Sequence, residues 1–334
     1  MAAATFPASA ENAEDLSGTK TYLVDKLKVM NAAADDFTKQ AADYAAVIAE
    51  YGGDYQKAFA AKGPEIKALV EKLREDYKAE DSYGYETVEG IVAGVEKFAH
   101  YDVYLDAGVP KGKGDPDTVS PLVLHLSNGQ TMDRPGCSFT YVIEPMLWGG
   151  DEKLIVPMDL DGDGKIAPRE SLPKTEILTA IAADTQKQLG LLLNDAEQWQ
   201  PTKEDCFAAL VAMTPTLSDY FEDWKESRYT ARESGRFFAV SRVSDMKGIM
   251  MSCEIMYRAV NPAVATKDKA LAKAATNGFG DILAFLNELA VREKKGGMTA
   301  AEIDELANQA KSKTDQLVPQ IKQAAALLSV NIAG

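Results

Sequence analysis

The stretch "SGTKTYLVDKLKVMNAAADDFTKQAADYAAVIAE", residues 17–50, decides the fold. Its apolar residues Tyr22, Leu23, Leu27, Val29, Met30, Ala33, Phe37, Ala41, Tyr44, Ala45 and Ile48 recur at steps of three and four. That is the period of a helix with one face turned to a core. The pattern predicts one long amphipathic helix ended by Gly52 and Gly53. A second helical stretch is expected over about 54–79 with Pro64 as a break, and a third over about 85–107, stopped at Gly108 and Pro110. Three amphipathic helices in succession imply a bundle.

Downstream the character changes. "PLVLHLSNGQTM", residues 121–132, reads as two short strands around Asn128-Gly129, a two-residue hairpin signal. Helical patterns return over about 174–193, 203–213, 216–258 with an interruption near Ser234-Gly235, 267–294 and 299–332. Asn261-Pro262 and Gly296-Gly297 are the separators. Thr299 followed by Glu302 has the spacing of a capping box. The expected architecture is all-α: a flexible start at 1–16, an N-terminal bundle at 17–110, a connecting region with a hairpin at 111–173, and a C-terminal bundle at 174–334.

The 334 residues carry 36 Lys and Arg against 51 Asp and Glu, a formal net charge of -15. That charge repels nucleic acid and anionic lipid and favours metal ions as partners, although it also simply keeps a protein dispersed. No apolar run reaches the roughly 18 residues that cross a bilayer, so membrane insertion is not expected. The start "MAAATFPASAENAED" lacks the basic segment and apolar stretch of a signal peptide and reads as a mature secreted chain behind an added Met1. Cys137, Cys206 and Cys253 have no CxxC spacing, and at most one disulfide can join them within the chain.

One segment spells out a binding site. In "DLDGDGKIAPRE", residues 159–170, Asp159, Asp161 and Asp163 occupy positions 1, 3 and 5 of a twelve-residue calcium loop. The carbonyl of Lys165 is at position 7, Ala167 at the water position 9, and Glu170 at the bidentate position 12. Gly164 makes the turn at position 6, and Ile166 at position 8 is expected to point into the core. The entering "EKLIVPM" reads as extended, and Pro168 and Pro173 prevent a long exiting helix. An EF-hand-like loop without its two helices predicts a structural Ca2+ clamp, since sensors need a helix pair that opens.

Two acidic stripes point to a second cation. On a continuous helix Glu86, Glu89, Glu96 and His100 fall within roughly an 80° arc, and Asp219, Glu222, Glu226 and Glu233 likewise share a face. Such stripes are either solvated faces or the inward carboxylates of an iron-binding bundle, Fe3+ or Fe2+. Asp245 lies in the apolar, Met-rich "SRVSDMKGIMMSCEIMY" and needs a cation or a core partner such as Arg242 or Lys247. The candidate iron ligands are therefore Glu86, Glu89, Glu96, His100, Asp219, Glu222, Glu226 and Asp245. No nucleophile elbow, phosphate-cradling loop or HExxH occurs, which favours binding over catalysis.

The order of "EGIVAGVEKFAHYD", "SNGQTMDRPGCSFTYVIEPMLWGG", the acidic loop and "SRVSDMKGIMMSCEIMYRA" resembles the secreted iron-assimilation (high-CO2-inducible periplasmic) proteins of green algae. More distantly it is similar to imelysin and EfeO-like bundle proteins. The resemblance implies an imelysin-like pair of helical bundles, a periplasmic or extracellular location, iron binding, and a membrane iron-uptake system as partner. The Glu-x-x-Glu motifs of the algal proteins correspond here to Glu86 with Glu89 and Glu302 with Glu305. The bacterial His-x-x-Glu pair is not matched, because Ala93 stands three residues before Glu96; His100 could supply an imidazole from the other side. An imelysin-like metallopeptidase and a calcium-stapled interaction protein without iron are the alternatives.

Overall fold

A computed structural model describes residues 15–81, 84–106, 122–134, 137–231, 237–239 and 241–332. The expected flexible start, the stops at Gly108 and Pro110, Glu233 and the Ser234-Gly235 interruption lie outside those residues. Helices dominate, as the periodicity requires. Helix α1 spans Ser17–Ala49 and α2 spans Tyr55–Glu80, where Asp54 caps the start through Lys57 N–H and the chain kinks at Lys62, just before Pro64. Helix α6, Thr175–Gln198, packs along the other side of α1. The expectation that α6 opens the C-terminal bundle is thus corrected: its apolar face of Ile177, Ile181, Leu189 and Leu192 belongs with α1.

The second set comprises α7 (Lys203–Met213), α8 (Tyr220–Glu226), α9 (Arg228–Ala231), α10 (Arg242–Lys267), α11 (Lys269–Lys295) and α12 (Ala300–Leu327). Helix α10 runs straight through Pro262, and Asp268, which accepts N–H bonds from Ala270 and Leu271, makes the break instead of Asn261-Pro262. Thr299 and Glu302 close the capping box that starts α12. The apolar side chains of both sets merge into one continuous core.

The largest departure concerns residues 85–107. In place of one helix there is a 3₁₀ turn at Tyr85–Thr87, α3 at Glu89–Val92 and α4 at Ala99–Leu105. This segment wedges between α10, α7 and α1, and burial of Tyr85, Val88, Ile91 and Val95 overrides its periodicity. The wedge fits because Gly248 of α10 lacks a side chain: a Cβ there would stand 2.8 Å from the Glu86 carbonyl oxygen. The predicted common face of Glu86, Glu89, Glu96 and His100 does not exist.

Two small antiparallel pairs sit between the helical sets. Strands β1 (Leu122–His125) and β2 (Thr131–Arg134) form the expected hairpin. Its loop has three residues, not two, because Leu126 N–H bonds to Gln130 and Gly129 adopts φ 82°. Phe139–Ile143 is a π-helical turn that runs into α5, Glu144–Leu147. Strands β3 (Ile155–Pro157) and β4 (Ser171–Pro173) pair on either side of the acidic loop. All three cysteines are buried thiols without a disulfide.

Candidate metal centre

Six carboxyl side chains from separate segments converge where the wedge meets α10. Asp81 follows the last turn of α2, Glu86 sits on the 3₁₀ turn, Glu89 opens α3 and Asp106 follows α4. Glu144 opens α5 directly after the π-helical turn, and Asp245 lies in the first turn of α10. Asp81, Glu86, Glu89, Glu144 and Asp245 are each no more than 5 % exposed, while Asp106 is half-buried. One oxygen each of Asp81, Glu86 and Asp106 lie within 4.8 Å of one another, a spacing that lets three carboxylates share one ion.

Among the described residues, two guanidinium groups meet this charge. Arg242, inside the chamber, lies 2.7 Å from Asp245 and 3.7 Å from Glu86 and stacks its guanidinium over the Phe237 ring. Arg169 lies over the Phe238 ring, near enough to Glu144 to feel its charge. Tyr220 donates its hydroxyl to Glu89, and Phe238 and Ala239 donate backbone N–H groups to Glu144. Thr140 donates to Asp106.

Among the described residues, several carboxyl oxygens find no donor. Neither oxygen of Glu86 receives a hydrogen bond from an N–H or hydroxyl, and the same holds for Oε2 of Glu89, Oε2 of Glu144 and Oδ1 of Asp245. A buried carboxylate in that state is costly unless it is protonated or bound to a cation. Accordingly, burial first and then the neighbouring Asp245 and Glu89 push the Glu86 carboxyl well above its usual range. Burial likewise raises Asp106 and Asp245 well above theirs and lifts Glu144 to about 7. Burial works against the Arg242 charge, but Asp245, Glu86, Asp81 and Glu144 together hold it firmly protonated.

Of the residues singled out in the sequence, Glu86, Glu89 and Asp245 meet here, and Asp245 has Arg242 as its partner. The others lie apart. Glu96, His100, Asp219, Glu222 and Glu226 are exposed; His100 stacks on Tyr101, and Glu222 pairs with Lys225. Glu302 is consumed by its capping box, and Glu305 is exposed. Asp81, Asp106 and Glu144 were missed. Glu144 carried the same signal as Asp245, a lone carboxyl in the apolar run "TYVIEPMLW"; Asp81 and Asp106 carried none.

The acidic loop forms a second cluster at the surface. Asp159 accepts N–H bonds from Gly162 and Gly164, Asp161 from Asp163, and Asp163 from Lys165. Glu170 reaches back to the N–H groups of Leu160, Asp161 and Ala167. Oxygens of Asp159, Asp161 and Glu170 gather within 4.8 Å, and Gly164 takes φ 83° at the turn. Those backbone bonds hold the Asp159 and Glu170 carboxyls below their usual range. Ile166 differs from expectation: it is 54 % exposed and does not enter the core.

Comparison with known proteins adds one finding. A family model described as imelysin, peptidase M75, matches residues 140–328, more than half the chain. The match takes in Glu144, Arg242 and Asp245 and leaves Asp81, Glu86, Glu89 and Asp106 in the segment before it. No curated protein matches the chain.

Proposed function

The chain belongs to the imelysin family, and from that premise we propose that it is an extracytoplasmic iron-binding protein that assists iron assimilation. The observation that carries this reading is the largely buried set of six carboxyls facing two guanidiniums, with several oxygens lacking any donor among the described residues. An all-oxygen donor set suits a hard cation. The resemblance to algal iron-assimilation proteins narrows that cation to iron, taken as cargo and handed to a membrane uptake system. In this reading Glu86, Glu89 and Asp245 hold the ion together with Asp81 and Asp106, and Glu144 and Arg242 set the charge around it. The helices show no span long and apolar enough to cross a membrane among the described residues.

Calcium belongs to the second cluster. Asp159, Asp161, Asp163, the Lys165 carbonyl and Glu170 are its ligands in this proposal, and its role is to brace the β3–β4 pair. Iron and calcium thus use separate sites.

The test is iron titration of the purified protein and of a Glu86→Gln/Asp245→Asn variant, which keeps shape and removes charge. Iron affinity is expected to fall by at least about 100-fold, equivalent to ~2.7 kcal/mol. A Glu96→Ala/His100→Ala variant should bind as the parent does. Equal affinity in the first variant, or binding that only calcium competes away, defeats the iron reading.

One observation favours a metallopeptidase as second reading: Glu144, held near 7 beside the chamber, has the pKa of a general base. It predicts metal-dependent cleavage of an unfolded substrate, abolished by Glu144→Gln. An inert protein under those conditions removes it.

A further inference from the structure

The first turn of α10 separates the carboxylate chamber from a cavity of opposite charge. Arg242 and Asp245 face the chamber, whereas Ser244 and Lys247 project roughly 100–160° away from them round the helix at about 100° per residue, and with the N-cap Ser241 they line a cavity of about 390 Å³. Lys78 of α2, Arg228 of α9 and Lys294 of α11 complete its cationic wall. Lys78, Lys247 and Lys294 form no salt bridge with any described residue, although the chain carries a net charge of -15 and 51 acidic side chains.

The one carboxylate among the described residues of the wall is already engaged. Glu293 accepts hydrogen bonds from Trp224 Nε1 at 2.8 Å and from the Ser241 hydroxyl. It balances one cation at most, and Lys78, Lys247 and Lys294 outnumber it. Three ammonium groups held around one concavity repel each other, and an acidic protein has ample means to neutralise them. The wall instead leaves them facing the cavity, at the positive end of a 26-residue helix whose N-cap is Ser241.

We propose that this cavity is a binding site for a small multivalent oxyanion, an inorganic phosphate or a polycarboxylate, held by Lys78, Lys247 and Lys294 with Arg228 and the Ser244 hydroxyl. The cavity is partly open and roomy enough for a small polyanion. The site is independent of the iron reading, since Ser244 and Lys247 point away from the chamber and Lys78 and Lys294 come from other helices.

The wall contains its own reporters. Trp224 bonds to Glu293, and Lys78 sits 5.7 Å from the Trp148 ring centroid, so two of the three tryptophans touch residues of the cavity wall. Titrating the intact, metal-free protein at low ionic strength with inorganic phosphate and, separately, with citrate should give saturable tryptophan emission changes. Lys247→Gln/Lys294→Gln should weaken binding at least about tenfold, with unchanged circular dichroism showing that the fold persists. A Lys26→Gln/Lys313→Gln pair, which removes the same charge elsewhere, should leave it unchanged. Tighter phosphate identifies an inorganic anion and tighter citrate a polycarboxylate. No saturation at millimolar anion, or equal losses in both double variants, overturns the proposal.

Discussion

At the acidic loop the carboxyls of Asp159 and Glu170 lie at the surface and accept backbone N–H bonds, which hold them ionised below the usual range. In the chamber Glu86 and Asp245 are fully buried, short of donors, and pushed well above it. The residue types are the same. The loop organises its ligands with its own backbone before any ion arrives, whereas the chamber brings carboxyls together by packing and leaves their charge to be met by protons, Arg242 or a cation. The first is a site by local geometry and the second by desolvation.

Removing Arg242 should break this contrast most severely. Arg242→Ala strips the chamber of its internal cation, and loss of one member of a buried pair costs about 3–5 kcal/mol. Urea unfolding is expected to show that loss, and iron should restore part of it; an Arg169→Ala variant at the rim should lose less. Gly248→Ala acts next, because its Cβ would press on the Glu86 backbone at 2.8 Å. Forcing the wedge away should cost about 1–3 kcal/mol, seen in the same assay.

The two regions should also respond to pH with opposite sign. The folded chamber holds Glu144 near 7 against an ordinary 4.5, so its contribution to stability is complete below the ordinary value and is lost as pH rises through 7. Thermal unfolding of the ion-free protein should therefore show a decline from about pH 5 to 8, and bound iron should flatten it. The loop runs the other way: the lowered Asp159 and Glu170 contribute above their ordinary range and lose that contribution on acidification. A flat profile between pH 5 and 8 without metal contradicts the chamber's electrostatics.

The smallest effect is expected at the loop. Chelating calcium, or Asp159→Asn with Glu170→Gln, should lower the melting temperature by a few degrees and leave iron affinity within about twofold. The reverse result, a large change in iron affinity with little change in melting, would make the loop part of the iron site.

Much of the fold follows from local pattern. The long helices α1, α2, α11 and α12, the capping box at Thr299, the hairpin, and an acidic loop without flanking helices are all written in contiguous residues. The segment 85–107 and α6 were not readable in that way. The former has helical periodicity but is bent by close packing against Gly248, and the latter has an apolar face that several neighbours could cover.

The sequence by itself determined the helical class and the twelve-residue loop, because an amphipathic period and a ligand spacing are properties of neighbouring residues. Only the tertiary structure decided the chamber. Asp81, Glu86, Glu89, Asp106, Glu144 and Asp245 span 165 positions from first to last (81 to 245), and no local period relates them. What unites them is exclusion from water, which arises when the wedge packs into α10. It is that burial, more than the carboxyls themselves, which changes their protonation and makes a cation their natural partner.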